Sequence, residues 1–130
     1  MLVLKITMDT ALRILAVDDE PSIMQSMRFI FASPQYELTG AEDGNDALAR
    51  FDASDDTYDV VITDQRMPNL TGIELVRELR KRGFAGKIMV LSAHLSPEIR
   101  EAYEQMDVHV MLDKPFNIRE LRLALDRLAA

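Results

Sequence analysis

The sequence predicts a doubly wound α/β domain, a parallel sheet with helices packed on both faces. Five short runs rich in apolar and β-branched residues recur at Arg13 to Val17, Tyr36 to Ala41, Tyr58 to Thr63, Lys87 to Leu91 and Val108 to Leu112, with helix-period segments between them. Three stretches within these runs, Ile14 to Val17, Val60 to Ile62 and Ile88 to Leu91, are continuously apolar, as central parallel strands covered on both sides must be. Strict alternation of strand and helix then requires crossover connections and a parallel sheet.

Each helix carries its own punctuation. The first begins after Pro21 and sets Ile23, Met24, Met27, Ile30 and Phe31 on one face. The second falls between the Tyr36–Ala41 strand and a polar stretch, Asp52 to Thr57, that reads as a surface loop. Thr71-Gly72-Ile73-Glu74 opens the third with a capping-box pattern, and Ser96-Pro97 opens the fourth with a capping residue and a proline at the first helical position. The fifth starts at Asn117 and runs Ile118, Leu121, Leu125 and Leu128 along one stripe. Residues 1–10 read as an N-terminal tail and residues 11–130 as a single domain, with no linker or repeat between.

Composition narrows the function classes. A chain of 130 residues, 48% hydrophobic and 28% charged, is long enough to bury a core without staples and has the balance of an ordinary globular domain. The net charge of −7 argues against direct nucleic-acid binding, which needs concentrated Lys and Arg. Without cysteine there are no disulfides or thiolate ligands, so a metal would be held by oxygen or imidazole. The apolar Met1 to Met8 stretch lacks a basic region and a cleavage site, and no run reaches the length that spans a bilayer. A cytoplasmic protein with no membrane partner is the simplest expectation.

Doubly wound sheets place their sites at the carboxyl ends of the strands. The residues there are Asp18 and Asp19 after the first strand, Asp64 after the third, Ser92 after the fourth and Lys114 after the fifth. Any one of these alone would read as a turn or cap residue. Together they form a set that one reaction needs. Crowded carboxylates repel unless neutralised, and Mg²⁺, which takes oxygen ligands and pairs one or two carboxylates with a phosphate, meets that need, with Asp19 and Asp64 as direct ligands. A carboxylate can attack phosphorus, while Lys114 and Ser92 would contact the phosphoryl oxygens.

These residues resemble the receiver domain of bacterial response regulators, the CheY-like family of two-component systems. The resemblance spans Leu12 to Leu128 and rests on Val17-Asp18-Asp19-Glu20, Ala41-Glu42-Asp43-Gly44, Asp64-Gln65-Arg66-Met67-Pro68 with Gly72 following, Leu91-Ser92-Ala93 and Lys114-Pro115-Phe116. It implies a flavodoxin-like (βα)5 three-layer sandwich with sheet order 2-1-3-4-5. It further implies that Asp64 is the phosphoacceptor, that Asp18, Asp19, Asp64 and the backbone carbonyl of Arg66 hold Mg²⁺, that Ser92 is the switch hydroxyl, and that Lys114 contacts the phosphate. Lys114-Pro115 resembles the family's cis peptide, which aims the lysine inward, and Gly72 would let the chain turn beside the acceptor loop without a Cβ clash. Arg66 and His94 stand at positions that flank the phosphorylation site and influence phosphoryl lifetime. Met111 stands where the family usually carries an aromatic switch residue.

The donor implied is a histidine kinase or a histidine phosphotransfer protein. The output implied is a downstream protein target engaged through the face of the fourth helix, fifth strand and fifth helix, with room for a homodimer on phosphorylation and for a further output domain. Such a chain is a signalling domain whose only catalysis is its own phosphorylation and dephosphorylation. Three rivals fit less well. A flavodoxin-type electron carrier needs a glycine- and hydroxyl-rich phosphate loop where Asp18-Asp19-Glu20 would repel the phosphate. An aspartyl phosphohydrolase needs a second acid to activate water and a cap, and the sequence offers neither. A receiver that has lost phosphorylation is set against the intact Asp18, Asp19, Asp64, Ser92 and Lys114. His94 reads as a solvent-facing loop residue, His109 as a side chain within the fifth strand, and the eight methionines as core filler.

Overall fold

The computed structural model describes residues 11–54 and 57–129. The tail expected at residues 1–10 lies outside them. The elements alternate as β1 (Leu12–Val17), α1 (Pro21–Ile30), β2 (Tyr36–Ala41), α2 (Gly44–Ala53), β3 (Val60–Asp64), α3 (Gly72–Lys81), β4 (Lys87–Ser92), α4 (Pro97–Gln105), β5 (Val110–Asp113) and α5 (Ile118–Ala129). All strand pairs are parallel, in the order β2-β1-β3-β4-β5, as expected.

Period-two alternation along the central strands divides the core into two layers. Ile14 and Ala16 of β1, Ile62 of β3, and Met89 and Leu91 of β4 face one side, where Met24, Met27 and Ile30 of α1 and Leu121, Ala124, Leu125 and Leu128 of α5 cover them. Leu15, Val17, Val61 and Val90 face the other, against Ala47 of α2, Leu75, Val76 and Leu79 of α3, and Tyr103 of α4. Burying each large aliphatic side chain is worth about 1.5–3 kcal/mol relative to exposure, so these two layers hold the sheet between the helices. The three continuously apolar runs are the three central strands, as their composition requires.

Caps fix where the helices begin. Thr71 and Glu74 form the expected capping box on α3, with the Glu74 N–H donating to the Thr71 hydroxyl and the Thr71 N–H donating to the Glu74 carboxylate. The Thr71 N–H and hydroxyl, both donating to it, hold the exposed Glu74 carboxyl below its ordinary pKa. Ser96 caps α4 ahead of Pro97, and Asn117 and Glu120 cap α5 reciprocally.

The structure departs from the sequence reading at several strand and helix ends and at one side chain. The fifth strand starts at Val110 rather than Val108, because the Val108 N–H closes the end of α4 on the Tyr103 carbonyl (3.0 Å), with Asp107 in the left-handed region at φ 64°. His109 therefore precedes β5, exposed, with its ring 3.0 Å from Asp107. The third strand starts at Val60 rather than Tyr58. The stretch from Asp52 is not all loop: α2 continues to Ala53, and Asp52 pairs with Arg82, the C-cap of α3, at 3.0 Å. Ile118 leaves its expected stripe: in the first turn of α5, beyond the sheet's cover, it is 42% exposed.

Candidate functional site

Strand β1 lies between β2 and β3, so the chain winds in opposite directions from it, and the crevice at the carboxyl ends of β1 and β3 is left open. A cavity of about 470 Å³ occupies it, lined among others by Asp19, Glu20, Asp64, Arg66, Ser92 and Lys114. The strand-end residues singled out by the sequence thus meet in one place.

The acceptor loop is built from Asp64 outward. Asp64 ends β3 and is 5% exposed. Its Oδ1 accepts from the backbone N–H groups of Gln65 (2.7 Å) and Arg66 (3.3 Å), and its Oδ2 accepts from the Lys114 ammonium (3.1 Å). Lys114 follows β5, and its bond to Pro115 is cis, as the resemblance implied. The same ammonium donates to Asp18 Oδ2 and Glu20 Oε1, each at 2.9 Å. Burial alone would lower the lysine's pKa, but its hydrogen bonds to Glu20, Asp18 and Asp64 outweigh that and hold it above the ordinary value. Asp18 is pushed up, chiefly by burial, against the opposing pull of the Glu20 N–H (2.9 Å to Oδ1) and of Lys114. The nearby Asp64 charge pushes it further.

The acids that close on one another are Asp18, Glu20 and Asp64, whose ligand oxygens lie within 4.8 Å. Asp19 is exposed at the wall of the same cavity. The cause is the extended backbone after β1, where Glu20 has φ −88° and ψ 113°, so alternate side chains share a side and Asp18 pairs with Glu20. Glu20 is also the N-cap of α1, yet its side chain makes no cap bond. Its carboxylate goes to Lys114 instead. The sequence reading gave Glu20 no role; its spacing of two from Asp18 was the signal.

The three clustered carboxylates form an all-oxygen donor set that suits a hard cation, so they fit Mg²⁺, with which the Lys114 ammonium competes. Ser92 is buried, and its hydroxyl reaches the His94 carbonyl at 3.5 Å. His94 and Arg66 are exposed at the cavity mouth, and Pro115 is exposed beside Lys114. Met111 is half-buried on β5, against the layer that contains Tyr103 and Val90.

Gly72 makes the loop possible. A Cβ there would strike the Asp64 carbonyl oxygen and the Tyr103 hydroxyl, and would lie 3.0 Å from the Gln65 Cα. Two of these are backbone atoms that cannot swing aside. Gly72→Ala is therefore expected to cost about 2–3 kcal/mol in denaturant unfolding, the upper range for overpacking.

The chain is similar to known proteins in sequence and in fold. The family model for the response regulator receiver domain matches residues 14–126. The response regulator MprA of Mycolicibacterium vanbaalenii is 37% identical over 109 residues, covering 84% of this chain and 46% of that protein. A putative transcriptional regulator of Haloferax volcanii is 30% identical over 115 residues, 88% of this chain and 19% of its own length. The chain thus spans half or less of the length of these relatives. Among solved structures, the chemotaxis response regulator CheY4 of Vibrio cholerae superposes with a TM-score of 0.83 at 34% identity, covering 92% of this chain and 99% of that one.

Proposed function

Because the chain belongs to the response regulator receiver family, we propose that it accepts a phosphoryl group on Asp64 from a phosphohistidine donor, carried by a histidine kinase or a histidine phosphotransfer protein, in a Mg²⁺-dependent reaction. The observation that carries this reading is the Lys114 ammonium set among Asp18, Glu20 and Asp64 at the open end of the sheet.

In the transfer the P–N bond to imidazole breaks with its electron pair passing to that nitrogen, a P–O bond to the Asp64 carboxylate forms, and the ring leaves as neutral imidazole, already protonated on its other nitrogen or taking a proton from solvent. Asp64 is held for attack by two loop N–H groups on Oδ1 and by Lys114 on Oδ2. Lys114 and the buried Ser92 hydroxyl line the space where phosphoryl oxygens would sit. Asp19, Asp64 and the Arg66 carbonyl would hold Mg²⁺, with Asp18 behind them, and the ion would neutralise charge spreading over the phosphoryl oxygens. The exposed Arg66 and His94 at the mouth would govern access of water to the acyl phosphate.

The domain then acts as a signalling module, not as an enzyme on an outside substrate. Its output surface would be the face of α4, β5 and α5, with the flexible Met111 in place of an aromatic ring; amide shifts confined to α4 and β5 on phosphorylation would support that face. A relative named as a transcriptional regulator extends far beyond the matched receiver. Any nucleic-acid contact in a longer protein would fall to segments outside this chain, and homodimer formation would follow phosphorylation. No described helix is long and apolar enough to cross a membrane; a cytoplasmic site of action completes the reading.

The test is intact-mass measurement after incubation with phosphoramidate. One phosphoryl group should add in Mg²⁺, and none once a chelator has removed the metal. Labelling that persists undiminished in chelator would overturn the Mg²⁺-dependent reading.

A further inference from the structure

Tyr103 lies on α4, with no solvent exposure, and the chemistry proposed above gives it no part. Its hydroxyl donates to Gln65 Oε1, across 38 residues of sequence. That oxygen also accepts the Ile73 N–H at 3.1 Å, and the Gln65 carbonyl accepts the Gly72 N–H at 2.9 Å. Gln65 is thereby anchored at both its carbonyls. Its own N–H is the shortest bond to the acceptor, 2.7 Å to Asp64 Oδ1.

We infer that Tyr103 is a positioning residue for the phosphoacceptor, acting through Gln65, which it locks so that the Gln65 N–H fixes one oxygen of Asp64 and leaves the other toward the cavity. The inference rests on the reading of Asp64 as acceptor. Three features support it. The ring packs in the same layer as Val90, Leu95 and Val108, so the hydroxyl has one place to go. A phenol buried at this depth without a partner would be costly, and its partner is the residue next to Asp64. Finally, Tyr103 ties α4 directly to the acceptor loop, while Met111, which carries no hydrogen-bonding ring, sits in the same layer.

A nucleophile displaced by a fraction of an ångström loses rate without losing donor binding. The experiment compares the full chain with Tyr103→Phe, Gln65→Leu and the double variant, in Mg²⁺, across phosphoramidate concentrations, with Asp64→Asn as control. Tyr103→Phe should lower the maximal labelling rate about five- to tenfold, the scale of one hydrogen bond, with the half-saturating donor concentration unchanged. The Gln65 and Arg66 amide resonances should shift while those of β1 and β4 stay in place. Gln65→Leu should show the same loss, and adding Tyr103→Phe to it should cost nothing more, because the tyrosine acts only through Gln65.

Wild-type rate in Tyr103→Phe with an unmoved Gln65 amide would overturn the inference, as would losses that multiply in the double variant or shifts spread through the whole core. Failure of the wild type to label, or labelling of Asp64→Asn, would instead strike the acceptor reading itself. If Tyr103→Phe does not fold, a wild-type rate in Gln65→Leu overturns the inference and a five- to tenfold loss sustains it.

Discussion

Asp64→Asn is expected to abolish phosphoryl acceptance while leaving the fold in place. The amide has the size of the carboxylate, so β3 and the acceptor loop can keep their packing, but it is neutral and its oxygen is too weak a nucleophile to open the bond to phosphorus. No neighbour can substitute with equal geometry. Asp18 is buried behind Lys114 with its oxygens committed to Lys114 and to the Glu20 N–H. Glu20 sits on the outer side and Asp19 on the cavity wall. Among the described acids, only Asp64 combines burial, a position at the end of the central β3 and backbone donors that fix one oxygen. Stability should change little, because Lys114 keeps Asp18 and Glu20 as ion-pair partners and the repulsion that Asp64 exerts on Asp18 is relieved. Intact mass after phosphoramidate treatment, with a denaturation curve on the same sample, checks both halves. Labelling equal to wild type would place the acceptor elsewhere.

The parts of this structure that were legible in the sequence are those decided by local pattern. Ile14 to Val17, Val60 to Ile62 and Ile88 to Leu91 could only be central strands, because a run apolar on both faces has nowhere else to go in a soluble fold. Ser96-Pro97 and Thr71 to Glu74 fixed helix starts because their capping chemistry acts over three residues. What local pattern missed came from distant partners. Val108 reads as strand, but its N–H is spent on Tyr103, which moves the start of β5. Asp52 reads as loop, but Arg82 lies opposite it and α2 runs on. Ile118 has the right spacing for the α5 stripe and the wrong height above the sheet.

At the site the same division holds. Asp18, Asp64, Ser92 and Lys114 could be placed together because topology brings strand ends to one rim. Asp19 and Glu20 were harder to rank, since the direction of each side chain depends on the backbone of two residues. Tyr103 could not have been tied to the site at all: it is one buried aromatic on a helix, and its link to Gln65 appears only when α4 is laid against the sheet.

Lys114→Ala should give the second large effect, and its size depends on the metal. Among the described residues, Lys114 is the ammonium that faces Asp18, Glu20 and Asp64 together. Its side chain and those of Asp18 and Asp64 are less than a tenth exposed, so their attraction is poorly screened. Removing the cation leaves three carboxylates facing one another. Breaking a buried pair costs about 3–5 kcal/mol, and the half-exposed Glu20 reduces this, so metal-free Lys114→Ala should lose about 2–4 kcal/mol. The carboxylates can escape the repulsion by taking up protons. Asp18 is already raised by burial and by Asp64, and without Lys114 it rises further. The folded variant then binds more protons than the unfolded chain, so its stability increases as pH falls toward the ordinary carboxylate range and decreases as pH rises through the raised folded value. Mg²⁺ should reduce the penalty by another route: with the competing ammonium gone, its affinity should rise about tenfold, since each lost unit charge at about 4 Å is worth more than 1 kcal/mol outside bulk water. Wild type gains from Mg²⁺ as well, so at saturating metal the variant recovers RT ln of the affinity ratio, about 1.4 kcal/mol for a tenfold difference, which closes part of the gap. Urea unfolding of wild type and variant, each with chelator and with saturating Mg²⁺, reads the whole prediction. A stability deficit that is the same with and without metal would show that Lys114 contributes by packing its stem rather than by its charge.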